Sequence, residues 1–215
     1  MNTSKFVTTT FIIGLAVFAA ACPDKNQINS NANTNKTATV APTPPEKANN
    51  SKMKSSPGAD GAPFELQFID TMIAHHEVAI AMAKEVEGKL QHPELNAFAK
   101  SVVAEQEKEI AEMKKWRAAW YPVRPPAINM EMPGMNYSMT RVNMDTLRAA
   151  TGSEKDVEFM SQLIPHHQGS LMIANAGLHQ SEKTEIHKLS ESIINTRAVE
   201  MKKMQDWQYA WIKPN

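Results

Sequence analysis

Hydrophobic residues between positions 64 and 122 recur every three or four residues, which is the period of an α-helix. The first run places apolar residues and one histidine on a single helix face: Phe68, Met72, His75, Ala79, Met82 and Val86. A second, adjacent stripe consists of Ile69, Ile73, His76, Ile80 and Ala83. A helix that is apolar over two neighbouring stripes is substantially buried, as in a helical bundle.

A second amphipathic run begins at Pro93, and proline is well suited to the first turn of a helix. Its predicted inner face carries Leu95, Phe98, Val102, Gln106, Glu109, Met113, Trp116 and Trp120. The prolines at 122, 125 and 126 predict that this helix stops before Tyr121. Residues 64–122 are therefore predicted to form a helical hairpin with its turn near Gln91-His92-Pro93.

The same pattern recurs 91 residues later without a gap, so the folded part is a duplicated unit. Identical residues include Phe68 and Phe159, the pairs His75-His76 and His166-His167, Glu109 and Glu200, Met113 and Met204, and all four tryptophans. The second unit predicts helices near 154–178 and 184–212. Two hairpins that each leave an apolar face open predict an all-α fold, an antiparallel four-helix bundle over residues 64–212.

Proline at position 165 distinguishes the second unit from the first, which has Ala74 at the equivalent position. Proline inside a helix removes one backbone hydrogen bond and crowds the preceding turn. The sequence therefore predicts a kink beside the second histidine pair.

The N-terminal part has the composition of an export signal and a linker. Residues 1–22 combine a weakly basic start, an apolar run and small residues before Cys22, which is typical of a lipoprotein signal peptide with Cys22 as the lipidation site. Residues 23–63 are rich in Asn, Thr, Ser, Lys, Ala and Pro, which predicts a disordered linker. An ordinary signal peptide with a chance cysteine is the alternative. The predicted location is the cell envelope, on a membrane-anchored lipoprotein that faces the periplasm or the exterior.

Charge and cysteine content exclude several classes of protein. The chain has 23 basic and 23 acidic residues, which argues against a nucleic-acid partner because such proteins need a cationic surface. Its single cysteine excludes an internal disulfide framework and any cysteine-cluster metal site. Methionine is abundant, with 14 residues, and this surplus needs an explanation.

The two histidine pairs are the main candidates for chemistry. His75, His76, His166 and His167 lie on apolar stripes, and buried imidazoles need partners for their nitrogens. Glu109 and Glu200, each followed by a methionine (Met113 or Met204), are the expected partners on the facing helices. One interpretation is structural His–Glu pairs. The other is a metal site in which Met72 and Met82 add thioether ligands, a combination that suits Cu(I) or Cu(II).

The segment between the hairpins, residues 123–152, is the second candidate. It contains Met130, Met132, Met135 and Met139, and Met144 follows. The Pro-Gly pair and polar neighbours predict a loop, so these methionines are expected to be exposed on a mobile segment. Exposed thioethers suit capture of a soft cation, whereas core anchoring or contact with a partner protein is the alternative.

These motifs resemble a known bacterial family. They are Met132-Pro-Gly-Met135, Leu147-Arg-Ala-Ala-Thr-Gly152, Leu163-Ile-Pro-His-His167, Phe68-x-x-x-Met72-Ile-Ala-His-His76 and the distal Glu-x-x-x-Met-x-x-Trp. Over residues 64–212 the chain resembles the family catalogued as domain of unknown function 305. The resemblance implies a ferritin-like four-helix bundle, with some members described as periplasmic copper-binding proteins. It places the family's motif positions at the four paired histidines, with Pro165 in place of a more usual basic or small residue.

Three functional hypotheses follow. The first is an exported lipoprotein that binds and sequesters copper and uses no catalytic residues, so the chain is not predicted to be an enzyme. The second is a metal-free interaction module of the cell envelope. The third, a ferritin-like di-metal oxidoreductase, is disfavoured because its Glu-x-x-His motif is absent from the sequence. Oligomerisation and a metal-exchange partner are left open.

Overall fold

The computed structural model describes residues 53–211. The predicted signal peptide, Cys22 and most of the predicted linker lie outside these residues. Six α-helices follow one another in the described part: α1 (Phe64–Val86), α2 (Pro93–Trp120), α3 (Met135–Met139), α4 (Met144–Ala149), α5 (Gly152–Gln180) and α6 (Thr184–Trp211). None of the helices between residues 53 and 211 is both long and apolar enough to cross a membrane.

The long helices form the predicted antiparallel four-helix bundle. Helix α1 packs against α2 and α5 packs against α6, while the two hairpins meet along α1 and α5. The core contains the stripes expected from the periodicity, with Phe68, Met72 and Met82 of the first repeat completely buried. Helix α2 begins at Pro93 and ends at Trp120, as the prolines predicted.

Each hairpin turn is held by a carboxylate from the other hairpin, and the two arrangements are related by the repeat. Asp156 on α5 accepts hydrogen bonds from the backbone N–H groups of Gln91, at 2.8 Å, and His92, at 3.1 Å. Glu65 on α1 accepts one from the N–H of Glu182, at 3.2 Å. These matching contacts fix how the hairpins align, and therefore where the histidines of α1 meet those of α5.

Helix α5 continues through Pro165 without interruption. The proline therefore does not end the helix, and a bend at this point stays a prediction. Residues 166 and 167 keep helical geometry, so both histidines project from the same regular element.

The prediction that the disordered linker extends to residue 63 is wrong for its last 11 residues, 53–63. Residues 53–63 lie against the segment after α2: the N–H of Ser56 donates to the carbonyl of Ile128 at 2.8 Å, and the N–H of Met130 donates to Ser55 Oγ at 2.9 Å. Ala59 is buried in a short 3₁₀ turn. Serine hydroxyls and small residues, which suggested disorder, here satisfy the backbone of the neighbouring segment.

The expectation that residues 130–144 form an exposed, mobile loop is also wrong. The segment folds into α3 and α4, which pack on α5 and α1. Its methionines are buried: Met130, Met132, Met135, Met139 and Met144 are each no more than 6% exposed. The Pro-Gly pair marks a turn into a short helix, and the apolar methionine side chains are what that helix buries.

Candidate metal centre

The four paired histidines lie in the middle of α1 and α5 and are completely buried. The rings of His75 and His166 lie against each other, with centroids 3.9 Å apart and planes inclined by 36°. The rings of His75 and His76 are 6.3 Å apart, because successive residues on a helix point about 100° apart. His75 and His166 therefore form an inner pair, and His76 and His167 point toward α2 and α6.

The outer histidines meet the glutamates predicted as their partners. His76 Nε2 is 2.7 Å from Glu109 Oε2, at hydrogen-bond distance. His167 Nε2 is 3.1 Å from Glu200 Oε2, at ion-pair distance but without hydrogen-bond alignment. Each outer histidine therefore lies beside its expected glutamate, but only His76 is hydrogen-bonded to it.

A buried arginine, which the sequence analysis missed, joins the two glutamates. Arg197 is completely buried, and its Nη1 donates to Glu200 Oε2 at 2.7 Å while its Nη2 donates to Glu109 Oε2 at 2.8 Å. Its counterpart in the first repeat is Gln106, whose buried side-chain amide has no hydrogen-bond partner among residues 53–211. A charged residue on an otherwise apolar stripe of α6 was the available signal.

Burial keeps the inner imidazoles neutral. It lowers the pKa of His75 well below 6.5, and the neighbouring charge of a protonated His166 would lower it further. Burial likewise lowers the pKa of His166, with His167 adding to the effect and the nearby backbone of His75 opposing it only weakly. Neutral imidazoles keep a nitrogen lone pair at neutral pH, which is the form that binds metals.

The outer histidines are neutral and the glutamates ionised. Burial lowers the pKa of His76 and of His167, although the neighbouring carboxylates partly oppose it. Burial alone would raise the pKa of Glu109 and Glu200, but the histidines and Arg197 outweigh it and the net shift is downward. The ionised carboxylate of Glu109 accepts the Nε2–H of His76, which leaves Nδ1 of that histidine with its lone pair.

Several imidazole nitrogens have no hydrogen-bond partner within the described part of the chain. They are Nδ1 of His76, both nitrogens of His166 and both nitrogens of His167. His75 differs, because its Nε2 lies 3.0 Å from Ser138 Oγ and its Nδ1 lies 3.3 Å from Ser170 Oγ. Unpartnered polar atoms inside a core are rare and call for an explanation.

Ser138 reaches His75 because α3 approaches α5 through two glycines. Gly134 has φ 96°, and a Cβ atom there would lie 2.3 Å from the carbonyl oxygen of Gly169. A Cβ atom on Gly169 would lie 2.5 Å from Ser138 Cβ. Only glycine at both positions allows the helices to come this close, so Pro-Gly in the insert serves to deliver a serine to the histidine.

The predicted thioether ligands are all in the core. Completely buried methionines are found on α1 (Met72 and Met82) and near the glutamates (Met113 and Met204). The four methionines of the insert, Met130, Met132, Met135 and Met139, are completely or almost completely buried. Within residues 53–211, no group of three or more His, Cys, Asp or Glu side chains is arranged to hold a metal ion. A metal bound by the imidazoles would therefore need thioether ligands or movement of side chains to complete its coordination.

Known structures resemble this chain over the folded part. CopM in the Cu(I)-bound form is 34% identical, with a TM-score of 0.59, and the match covers 69% of this chain and 98% of CopM. CopM in the Cu(II)-bound form is 36% identical, with a TM-score of 0.60 and coverage of 68% and 97%. A protein from Streptomyces coelicolor, described as a secreted DUF305 protein, is 20% identical, with a TM-score of 0.59 and coverage of 68% and 93%, and shows the fold alone.

Curated protein sequences include no match to the chain. The family described as Domain of unknown function (DUF305) matches it twice, over residues 17–117 and 118–208. These two matches correspond to the two repeats found in the sequence. The chain belongs to the DUF305 family.

Proposed function

We propose that this chain is an exported protein that binds copper through buried imidazole nitrogens and thioether sulfurs. The observation that carries the proposal is the set of buried, unpartnered nitrogens on His76, His166 and His167. A buried polar atom without a partner costs about 1–3 kcal/mol, and a metal ion that accepts the lone pair of such a nitrogen would remove that cost.

The donor set favours a soft cation. Neutral imidazole binds both Cu(I) and Cu(II), and thioether sulfur prefers Cu(I). CopM, which is similar to this chain, has been solved with Cu(I), Cu(II) and silver. The proposed ligands are the four paired histidines with thioethers drawn from Met72, Met82, Met130, Met132, Met135 and Met139.

The charges beside the histidines also fit a monovalent cation. Glu109 and Glu200 carry two negative charges against the one positive charge of Arg197, and the half-exposed carboxylate of Glu105 lies 3.6 Å from the same arginine. The buried part of this cluster, without Glu105, therefore has a net charge of −1. A buried charge is costly unless it is balanced, and a bound Cu(I) ion would balance this one. The glutamates would also orient the outer imidazoles, as carboxylates commonly do for metal-bound histidines.

Sequestration of copper outside the cytoplasm is the proposed role. The support for export is the signal-like segment that ends at Cys22. Lipidation of Cys22 would attach the bundle to a membrane. Because the six candidate methionines are buried, copper would be held inside the bundle and not on an exposed loop.

A copper titration tests the proposal. The chain from residue 23 onward, which keeps the ordered segment before α1, is titrated with Cu(I) without oxygen and with Cu(II) in air. We expect stoichiometric binding that survives desalting and is lost when all four paired histidines are changed to alanine. A thermal melt of that variant shows whether the bundle still folds. If the unchanged protein keeps no copper after desalting, the proposal is wrong.

A metal-free interaction module is the second candidate, and the buried methionines favour it. Methionine fills irregular gaps in cores, so the insert's methionines need no metal to explain them. Under this hypothesis, changing the insert's methionines to leucine has a small cost in stability and changes no metal-binding measurement. Under the copper hypothesis, the same change weakens Cu(I) binding more than Cu(II) binding.

A further inference from the structure

The two inner histidines occupy equivalent positions in the repeat, yet their surroundings differ. Both nitrogens of His75 lie within hydrogen-bond distance of serine hydroxyls, at 3.0 Å and 3.3 Å. Neither nitrogen of His166 has a partner between residues 53 and 211. The two copies of this histidine therefore differ in their hydrogen bonding, although they hold equivalent positions in the duplicated unit.

Neither of these two serines has a serine at the equivalent place in the other repeat. Ser138 belongs to the insert between the hairpins, and Ser170 on α5 corresponds to Ala79 on α1. An alanine stands where a serine facing His166 would be expected, so His166 lacks the hydroxyl that His75 has. Both hydroxyl-bearing serines are completely or almost completely buried, so water does not compete for them.

The hydrogen-bond partners of Ser138 point to one tautomer of His75. Ser138 Oγ lies 2.8 Å from the carbonyl oxygen of Gly134 and 3.0 Å from that of Met135. These acceptors take the one hydroxyl proton, as is common for serine in a helix. Ser138 Oγ must then accept a hydrogen bond, which requires the proton of His75 to be on Nε2.

The other nitrogen of His75 consequently carries the lone pair. Nδ1 accepts from the hydroxyl of Ser170 across 3.3 Å, a long and therefore weak hydrogen bond. We infer that Ser138 directs His75 to bind metal through Nδ1, and that Ser170 competes with the metal for that nitrogen. His166, which has no serine hydroxyl at either nitrogen, binds first. This inference rests on the proposed function only for its metal half, since the tautomer exists without metal.

The metal-free protein tests the first half. Long-range ¹H–¹⁵N correlation spectra of histidine-labelled protein report which nitrogen of each imidazole carries the proton. We expect His75 to be entirely in the Nε2–H form, and Ser138→Ala to convert it to a mixture of tautomers. Protonation of His75 at Nδ1 in the unchanged protein would overturn the inference.

Copper affinity tests the second half, by competition of Cu(I) with a chelator such as bicinchoninate. Ser170→Ala should bind Cu(I) about fivefold more tightly than the unchanged protein. The reason is that the metal no longer has to replace one neutral hydrogen bond that the metal-free protein makes. Ser190→Ala is the matched control, because Ser190 is a buried serine on α6 whose Oγ has no hydrogen-bond partner in the described chain. Equal affinities for the two variants would refute competition by Ser170.

Failure of this inference and failure of the proposed function would give different results. If no variant binds copper but His75 keeps the Nε2–H tautomer, the proposed function and the competition by Ser170 are wrong, and the tautomer assignment to Ser138 stands. If copper binds while His75 is a mixture of tautomers in the unchanged protein, the role of Ser138 is wrong and the proposed function stands.

Discussion

Replacement of Arg197 by methionine removes the one positive charge within residues 53–211 that contacts both Glu109 and Glu200. The arginine is completely buried and donates to both carboxylates at 2.7–2.8 Å. Breaking a buried ion pair by removing one partner costs about 3–5 kcal/mol, because the remaining charge is left uncompensated. Here two carboxylates are left, so we expect Arg197→Met to lower the free energy of unfolding at pH 7 by about 3–5 kcal/mol.

The pH dependence of this loss follows from the signs of the pKa shifts. In the unchanged protein the pKa of each glutamate is below the ordinary 4.5, so its stabilising contribution is present above pH 4.5 and is lost as the pH falls through the folded-state pKa. Without Arg197, burial and mutual repulsion raise both glutamate pKa values, so protonation of these two carboxylates stabilises the variant as the pH falls. The difference between the two proteins should therefore narrow below pH 4.5.

Urea denaturation followed by tryptophan fluorescence measures both effects in metal-free protein. Gln106→Met is the matched control at the equivalent position of the first repeat. The amide of Gln106 is buried without a partner, so its removal should leave stability unchanged or raise it by up to about 1–3 kcal/mol. Two results would refute the ionic network as described. One is a decrease of less than about 1 kcal/mol in the free energy of unfolding of Arg197→Met. The other is a stability difference between the variant and the unchanged protein that does not become smaller below pH 4.5.

Two further predictions concern the histidines and the insert. As the pH falls below 6.5, the unfolded chain takes up protons on histidines that stay neutral in the fold, so the stability of the fold should decrease between pH 7 and pH 5. This decrease should be smaller in the double variant His75→Gln/His166→Gln. If the pH profile of the urea midpoint is the same in both proteins, the two imidazoles are not buried in the neutral form. Met135→Ala should cost about 2–5 kcal/mol and Met135→Leu less than about 1.5, since the side chain is completely buried; equal unfolding curves for both variants would contradict its place in the core.

Periodicity and repetition in the sequence were enough to predict the bundle and the His–Glu pairing. The three-and-four spacing specifies which face of each helix is buried, and a gapless repeat requires whatever pairs with His76 to recur at His167. Glu109 and Glu200 follow from that logic, because a carboxylate on an apolar stripe must find a buried partner.

Other features depend on contacts between distant residues, which no local pattern specifies. Ser138 is 63 residues from His75, and its approach requires Gly134, just before α3, and Gly169 on α5. Arg197 was missed because arginine is usually exposed, and only the geometry shows that it lies between two carboxylates. The buried methionines were misjudged because Pro-Gly indicates a turn equally well in a mobile loop and at the start of a packed helix.

The single arginine between Glu109 and Glu200 has an evolutionary consequence. A dimer of identical hairpins must contain every residue in even number, so an arginine near its symmetry axis would face a second arginine. The fused chain has Arg197 in one repeat and Gln106 in the other, which gives one positive charge to two negative ones. An odd number of charges at the centre is available only after the two halves are encoded separately. Joining the duplicated halves in one chain thus permits a charge balance that no symmetric dimer of hairpins could have.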